Sequence, residues 1–285
     1  MVNLTVHIGF PKTGTTSLQN HVFPALKNYR YLDYFECVEL FSELQFADDL
    51  AFDPKQLKSK LETLQEQSGK PLFASLESLV GYLFHPSAFN RTRNIQRLLM
   101  VADELRLVVS TRNTLDLMDA VYRQYVQKGG VLKPKDLFVD HFAYDSHQRV
   151  HLSFFEQEKF IQWIKTLNEL KGLLVLKFED LKNDVAQTNA SLSTFLGEDV
   201  KVHNAPSANV SLSNASLRVL RYLNYFSSTF LRPLSSKSMI FNGHKMRYGV
   251  QDYVDPVFRK LGAKKHNYIR RDNVLFQKTK AFLNL

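Results

Sequence analysis

Short apolar runs alternate with amphipathic stretches along most of the chain. Four runs have the length and aliphatic content of buried strands, namely residues 4–10, 71–77, 105–112 and 173–180. Helix-compatible stretches separate these runs, so consecutive strands need crossover connections of the kind found in parallel sheets. The pattern therefore predicts an α/β fold with a mainly parallel central sheet flanked by helices.

Helical spacing of apolar positions is clearest in four places. One helix is expected near residues 54–67, where the proline at the start suits a first helical turn. A second is expected over 113–127, and a third over 155–171, where five apolar residues share one face. A fourth is expected to begin after Ser213 and to carry leucines inward. We expect a single domain over residues 1–285, with a core of about 3–200 and a helical, basic part of about 205–285.

Composition agrees with an ordinary soluble enzyme. The chain has 285 residues, of which 44% are hydrophobic, enough for a substantial core. No apolar run approaches the roughly 20 residues of a membrane-spanning helix. The N-terminus leads directly into the first strand, which leaves no room for a signal peptide. The single cysteine, Cys37, suits a reducing compartment. We therefore expect a cytoplasmic enzyme, bacterial or cytosolic.

The net charge of +9 is concentrated in the C-terminal stretch. Its basic residues are Arg259, Lys260, Lys264, Lys265, Arg270, Arg271, Lys278 and Lys280. Such a stretch is either a solvated helical face or a surface that attracts an anionic donor or acceptor. No known nucleic-acid-binding module is recognisable, and basicity alone is weak evidence, so no nucleic-acid partner is expected.

The first apolar run leads into a glycine- and threonine-rich loop. Gly9 and Gly14 have the spacing of a phosphate-binding loop, and a helix start follows. Thr15 and Thr16 come next, where a nucleoside triphosphatase has lysine and then serine or threonine, and the lysine lies inside the loop as Lys12. Backbone N–H groups at a helix start, hydroxyls and one lysine favour an anion at the carboxyl edge of the sheet. The loop therefore predicts binding of a phosphorylated donor rather than hydrolysis of ATP.

This loop resembles the donor loop of sulfotransferases that use 3′-phosphoadenosine 5′-phosphosulfate (PAPS). The resemblance extends in outline over about residues 3–230 and is nearest to bacterial carbohydrate sulfotransferases. It implies transfer of a sulfuryl group from PAPS to an acceptor hydroxyl, with PAP as product and no metal required. Lys12 would stabilise charge on the departing 5′-phosphate. The residues implied in donor binding are Pro11, Lys12, Thr13, Gly14, Thr15, Thr16 and Ser17.

Two further strand ends carry the resemblance. Arg112 ends the third run, where the family holds the 3′-phosphate of the donor, but position 120, where the family has a serine, is Ala120. The loss of one hydrogen bond to a charged group is worth about 1.5–3 kcal/mol. The segment Leu173–Leu181 resembles the family's fourth strand, and the helix after it closes on Gly197.

Glu77 ends the second run, where many carbohydrate sulfotransferases carry a catalytic base. The resemblance implies that Glu77 is the general base and that the acceptor is a saccharide or glycolipid. The alternative for Glu77 is a carboxylate that caps a helix or forms an ion pair. His85 is the second candidate for the base. Tyr122 and Arg123 are candidates for lining the acceptor cleft. The alternative for Tyr122 is packing in the core.

Two rival interpretations of the whole chain stay open. A P-loop kinase or nucleotide hydrolase would need a lysine after Gly14 and an acidic partner for magnesium. A degenerate sulfotransferase fold would act as a binding protein, an alternative that Ala120 supports. A cluster of possible metal ligands is the remaining candidate site, although we favour an acceptor-binding section there and no metal. Its members are His141, Asp145, His147 and His151.

Overall fold

The computed structural model describes residues 1–81, 83, 90–141, 149–202, 211–228, 241–242 and 247–284. The backbone divides into two compact units, each built from two stretches of the chain. The first unit comprises Met1–Asn113 and Gln157–Pro206, and the second comprises Thr114–Glu156 and Ser207–Leu285. Residues 114–156 thus group with the C-terminal part, which the expected boundary near residue 205 did not anticipate. The single domain over residues 1–285 stays a prediction.

Strands and helices alternate along the described chain. The strands are β1 (Asn3–Gly9), β2 (Arg30–Leu32), β3 (Leu72–Ser75), β4 (Glu104–Thr111), β5 (Phe138–Val139), β6 (Val150–His151), β7 (Leu170–Lys177), β8 (Ser227–Ser228) and β9 (Phe241–Asn242). The α-helices are α1 (Thr15–Ser17), α2 (Tyr34–Phe46), α3 (Pro54–Ser68), α4 (Arg91–Val101), α5 (Thr114–Gln127), α6 (Pro134–Leu137), α7 (Gln157–Lys165), α8 (Asp180–Asn183), α9 (Val185–Leu196), α10 (Asn214–Leu223), α11 (Asp255–Lys260), α12 (Tyr268–Arg271) and α13 (Asn273–Leu283). Within the described ranges, no helix has both the length and the apolar character needed to cross a bilayer.

A five-stranded sheet in the order β2-β3-β1-β4-β7 forms the centre of the first unit. All four pairings are parallel, with His7 of β1 opposite Ser75 of β3 and Gly9 of β1 opposite Ser110 of β4. The carboxyl ends of the strands therefore meet at one edge, where ligands bind in open α/β sheets. The predicted α/β fold with a parallel central sheet flanked by helices is confirmed.

The predicted strands agree closely with β1, β3, β4 and β7, because continuous apolar runs suit strands covered on both faces. The helix expected over 155–171 is wrong at its C-terminal end. The observed α7 ends at Lys165, and β7 already begins at Leu170, which pairs with Leu105 of β4. Sheet pairing, a tertiary interaction, thus overrides the helical spacing of the last apolar residues.

Three elements of the first unit were not predicted as such. The edge strand β2 is only three residues long, too short for a readable alternation. Helix α2 begins at a capping box, in which Asp33 accepts from the backbone of Glu36 and the Glu36 side chain accepts from the backbone of Asp33. Helix α4 follows residues 84–89, which lie outside the described residues.

An apolar cluster in the first unit holds the helical segment after the glycine-rich loop against the sheet. That segment continues from α1 as a π-helix, Leu18–Val22, and a short 3-10 turn, Phe23–Ala25. The ring of Phe23 is 4.6 Å from that of Phe73 on β3. The buried members of the cluster are Leu18, Val22, Phe23, Leu26, Tyr29, Phe73, Val108, Leu176, Leu192, Leu196, Val200 and Val202. Burial of this segment fixes the position of the loop that precedes it.

The second unit is mainly helical in its described part, with α5 packed against α10. The predicted helix after Ser213 is confirmed, since the Ser213 side chain caps α10 at the backbone N–H of Ser216. Leu217 and Leu220 are buried as expected, whereas Leu223 is only half-buried.

Candidate active site

The loop between β1 and α1 is held in shape by its own backbone. Lys12 and Gly14 both adopt left-handed conformations, with φ of 66° and 83°. The Thr13 hydroxyl is buried and donates to the carbonyl oxygen of Phe10 at 2.6 Å, and the Ser17 N–H donates to the carbonyl of Gly14 at 3.1 Å. The Ser17 N–H is therefore already bound within the loop, and the role of Ser17 in donor binding stays a prediction. Lys12 and Thr16 are exposed, so they remain the accessible lysine and threonine of the loop.

Two glycines allow this compact loop. A Cβ atom at Gly9 would lie 2.6 Å from the Cγ2 atom of Thr15 and 3.3 Å from the Oγ1 atom of Thr13. A Cβ atom at Gly14 would lie 3.1 Å from the ring of Phe178, in a backbone conformation that side chains disfavour. The glycine spacing that suggested a phosphate-binding loop therefore has a steric reason in this structure.

Substitution of Gly9 by alanine is expected to lower the free energy of unfolding by about 1–3 kcal/mol, because the new methyl group must displace Thr15 from a packed site. Denaturant unfolding measures the change. The matched control is Gly249→Ala, where an added Cβ would meet no atom within 4 Å. Equal stability of the Gly9 and Gly249 variants would contradict the tight contact.

Glu77 lies against the loop. It is the first residue of a 3-10 turn, Glu77–Val80, that follows β3, so the predicted strand ends two residues before it. Its Oε1 atom accepts a hydrogen bond from the hydroxyl of Thr15, and the carboxyl group is half-buried. Because β3 pairs directly with β1, the sheet brings the candidate base next to the candidate donor loop.

Arg112 directly follows β4 and lies on the other side of β1 in the sheet order. Its Nη1 atom donates to the carbonyl oxygen of Lys12 at 2.8 Å. Its backbone is bound by Gln157, whose Oε1 accepts from the Arg112 N–H at 3.0 Å and whose Nε2 donates to the Arg112 carbonyl at 2.7 Å. The structure thus brings Lys12 and Arg112 together at the carboxyl edge of the sheet.

Phe178 and Lys182 also lie beside Arg112 at this edge of the sheet. Neither residue was assigned a role from the sequence. The Phe178 ring lies 4.5 Å from the guanidinium carbon of Arg112 and 4.4 Å from the Nζ atom of Lys182. Both residues follow β7, the neighbour of β4. Their position after a parallel strand was the available signal, because such ends converge at one edge. Lys12, Arg112 and Lys182 are therefore three cationic side chains at this edge that can attract an anionic ligand, beside the carboxylates of Glu77 and Glu179.

The two acceptor candidates on α5 belong to the second unit, where both are largely buried. The Tyr122 hydroxyl accepts from Nη1 of Arg221 at 3.1 Å, and burial raises the pKa of Tyr122 to about 12. Arg123 forms a buried ion pair with Asp119 at 2.7 Å. Its remaining hydrogen bonds go to Leu212, Asn214 and His266. These contacts favour packing over substrate binding, and the acceptor role stays a prediction. Ala120 lies on the same helix and is half-buried.

The histidine cluster falls partly outside the described residues, which do not include Asp145 and His147. His85, the second candidate for the base, also lies outside them. His151 lies in β6 rather than on a helix, so the i, i+4 spacing required with residue 147 is not helical at this end. Its Nδ1 atom accepts from the Ser153 N–H at 3.1 Å. Over the part of the chain that the structure describes, no group of three or more ligating side chains could hold a metal ion.

The basic C-terminal stretch forms several ion pairs within the second unit. Arg259 binds the buried Asp255 at 2.6 Å, and Lys278 binds Asp140 at 2.8 Å. Hydrogen bonds from Lys278 and His141 hold the pKa of Asp140 at about 2. Part of the positive charge is therefore neutralised by carboxylates, as in a structural helical face.

Comparison with known proteins agrees with this geometry. A family model described as the sulfotransferase domain matches residues 5–260. Among solved structures, a sulfotransferase from Alicyclobacillus acidocaldarius is 13% identical over 83% of this chain and 98% of that chain, with a TM-score of 0.46. The sulfotransferase domain from the curacin biosynthetic pathway is 12% identical over 99% and 97%, with a TM-score of 0.41. A retinol dehydratase in complex with androsterone and the inactive cofactor PAP is 14% identical over 99% and 79%, with a TM-score of 0.36.

No match was found among the curated proteins. The family model nevertheless spans most of the chain, and the loop, the strand-end residues and all of the parallel sheet except the first two residues of β1 lie within the matched range. The chain therefore belongs to the PAPS-dependent sulfotransferase family and is an enzyme of that class.

Proposed function

We propose that this sulfotransferase moves the sulfuryl group of PAPS to a saccharide hydroxyl, with Glu77 as general base. The observation that carries the proposal is the approach of Arg112 to the loop, since its Nη1 atom lies 2.8 Å from the carbonyl oxygen of Lys12. The guanidinium of Arg112 is thereby held against the backbone of the loop that carries Lys12. A donor with phosphate at both its 3′ and 5′ positions needs two such cationic contacts.

The residues around the loop fit this donor. Gly9 and Gly14 let the loop pack closely against Thr13, Thr15 and Phe178, which a Cβ atom would prevent, so the loop keeps the compact backbone of a phosphate-binding turn. The N–H groups of Thr15 and Thr16 at the start of the helical segment, with the Lys12 charge, would hold the 5′-phosphosulfate. Arg112 would hold the 3′-phosphate. The hydroxyls of Thr13 and Thr15 are buried and already donate hydrogen bonds to Phe10 and Glu77, respectively. Thr13 and Thr15 would therefore bind the donor through their backbone N–H groups.

PAPS supplies an activated sulfuryl group, and the chain's own residues supply position and charge. The bond from sulfur to the acceptor oxygen forms as the bond from sulfur to the 5′-phosphate oxygen breaks. Lys12 stabilises the negative charge that gathers on the departing phosphate, and Glu77 takes the acceptor proton. The hydrogen bond from Thr15 to Glu77 supports this assignment, because it keeps the carboxylate beside the loop.

The proposed acceptor is a saccharide or glycolipid, and the proposed location is the cytoplasm. A saccharide or glycolipid is favoured because a glutamate after the second strand resembles the base of carbohydrate sulfotransferases, as in bacterial enzymes. A cytoplasmic location is favoured because the chain has a single cysteine, Cys37, which excludes an internal disulfide and suits a reducing compartment.

Calorimetric titration with PAP, beside ATP with magnesium, tests the donor assignment. We expect micromolar or tighter binding of PAP and little response to ATP. Preference for ATP would support the kinase alternative instead. Binding of neither ligand would support a degenerate fold or a donor site that Ala120 has impaired.

Replacement of Arg112 by alanine is expected to raise the Kd of PAP by about 10- to 100-fold, because hydrogen bonds to a charged phosphate are worth about 1.5–3 kcal/mol. The same calorimetric titration measures the change. Arg271→Ala is the matched control, since it removes the same charge from an exposed arginine on α12. Equal affinities of the two variants would remove Arg112 from the donor site.

A further inference from the structure

A buried histidine lies in the central sheet directly behind the loop. His7 on β1 is 0% exposed. Its Nδ1 atom is 2.7 Å from the Oγ atom of Ser75 on β3, and its Nε2 atom is 2.7 Å from the Oγ atom of Ser110 on β4. The side chain of Gln19 adds hydrogen bonds to the Oγ atom of Ser75 at 3.1 Å and to its carbonyl oxygen at 3.3 Å. We call Gln19, Ser75, His7 and Ser110 the His7 chain.

Each member of the His7 chain belongs to a segment that carries a candidate site residue. Ser75 lies two residues before Glu77, and Ser110 lies two residues before Arg112. Gln19 is part of the helical segment that follows the loop, and His7 is on the strand that leads into it. The four segments that form the proposed site are thus cross-linked by side chains at the point where they leave the sheet.

The imidazole of His7 is neutral. Burial lowers the pKa of His7 to about 3, so one ring nitrogen donates and the other accepts at neutral pH. Since Gln19 donates to Ser75, we assign the Ser75 hydroxyl as donor to Nδ1 and the Nε2–H as donor to Ser110. This assignment gives a single directed chain of hydrogen bonds. In a buried site, such a chain has few alternative arrangements, because each unmade bond leaves a polar group without water.

We propose that His7 is a positioning residue for sulfuryl transfer, which ties the base-bearing strand end to the strand end that bears the 3′-phosphate arginine. The inference rests on the roles proposed above for Glu77 and Arg112. His7 lies behind the loop and touches no reacting atom, so it acts through the position of its neighbours. Misplacement of a catalytic group by about 1 Å costs on the order of 100-fold in rate.

Two conservative substitutions separate the two ends of the chain. His7→Asn places polar atoms near the position of Nδ1 and is expected to keep the contact with Ser75 while it loses that with Ser110. His7→Gln reaches the position of Nε2 and is expected to do the reverse. We expect the asparagine variant to bind PAP about 10-fold more weakly with little change in kcat. The glutamine variant is expected to lose about 10-fold in kcat with PAP affinity kept.

Amide hydrogen exchange supplies a readout that needs no donor or acceptor. Faster exchange is expected at residues 112–113 in the asparagine variant and at 76–78 in the glutamine variant. Leu98→Ala, a substitution of a buried residue on α4, is the control for a general loss of stability. The kcat is measured with radiolabelled PAPS and a saccharide panel, or with water as acceptor where no sugar reacts.

The outcomes separate the two proposals. Wild-type exchange, PAP affinity and kcat in both His7 variants would overturn the positioning role. It would also be overturned if the Leu98 variant showed the same changes as the His7 variants, because general destabilisation would then explain them. Failure of the wild-type protein to bind PAP would overturn the proposed donor site, while the exchange pattern would still report whether His7 orders the two strand ends.

Discussion

Replacement of Lys12 by alanine is expected to lower kcat for sulfuryl transfer by about 100- to 1000-fold, the usual effect of removing one preorganised group that stabilises transition-state charge. Lys12 is exposed on the loop, and its carbonyl oxygen accepts from Arg112 at 2.8 Å. The substitution leaves that backbone contact in place and removes the exposed side chain with its ammonium group. Transfer of label from radiolabelled PAPS to a saccharide panel measures the rate.

An exposed lysine elsewhere provides the control. Lys55→Ala on α3 removes the same charge from the first unit at a position far along the sequence from the loop. We expect its kcat to equal that of the wild type. A Lys12 variant as active as the Lys55 variant would show that Lys12 does not act on the departing phosphate.

Replacement of Glu77 by glutamine is expected to lower kcat by about 100- to 10,000-fold with the Kd of PAP unchanged, because general-base catalysis contributes rate rather than donor affinity. Glutamine has nearly the shape of glutamate, and its carbonyl oxygen can still accept from the Thr15 hydroxyl. Single-turnover transfer measures the rate, and calorimetry measures the affinity for PAP.

Glu39→Gln, a change of an exposed carboxylate on α2, serves as the matched control and is expected to leave both quantities unchanged. Wild-type turnover in the Glu77 variant would mean that another residue accepts the proton. A parallel loss of PAP affinity would instead mean that the carboxylate acts mainly by holding Thr15 in the loop.

The side-chain partners of Arg123 on α5 and of His7 on β1 could not be predicted from local residue patterns. Tyr122 and Arg123 lie on α5 and were predicted to line the acceptor cleft, with packing in the core as the alternative for Tyr122. The structure instead gives Arg123 an ion pair with Asp119 and bonds to distant carbonyls. The partners Leu212 and His266 lie far along the chain. No local pattern could indicate them. His7 was equally inconspicuous, because a single histidine in an apolar strand has no motif around it.

By itself, the sequence determined the parallel α/β architecture, the loop from Gly9 to Ser17 and the positions of Lys12 and Arg112. These depend on short-range features, namely apolar runs, glycine spacing and the residues that end each run. Only the tertiary structure decided which strand ends are neighbours, and hence that Glu77 and Arg112 flank the loop. It also decided that the hydroxyls of Thr13 and Thr15 point inward, that Phe178 joins two cations, and that His7 bridges two serines. Those arrangements join residues remote in sequence, and the order of strands in the sheet brings them within hydrogen-bond distance.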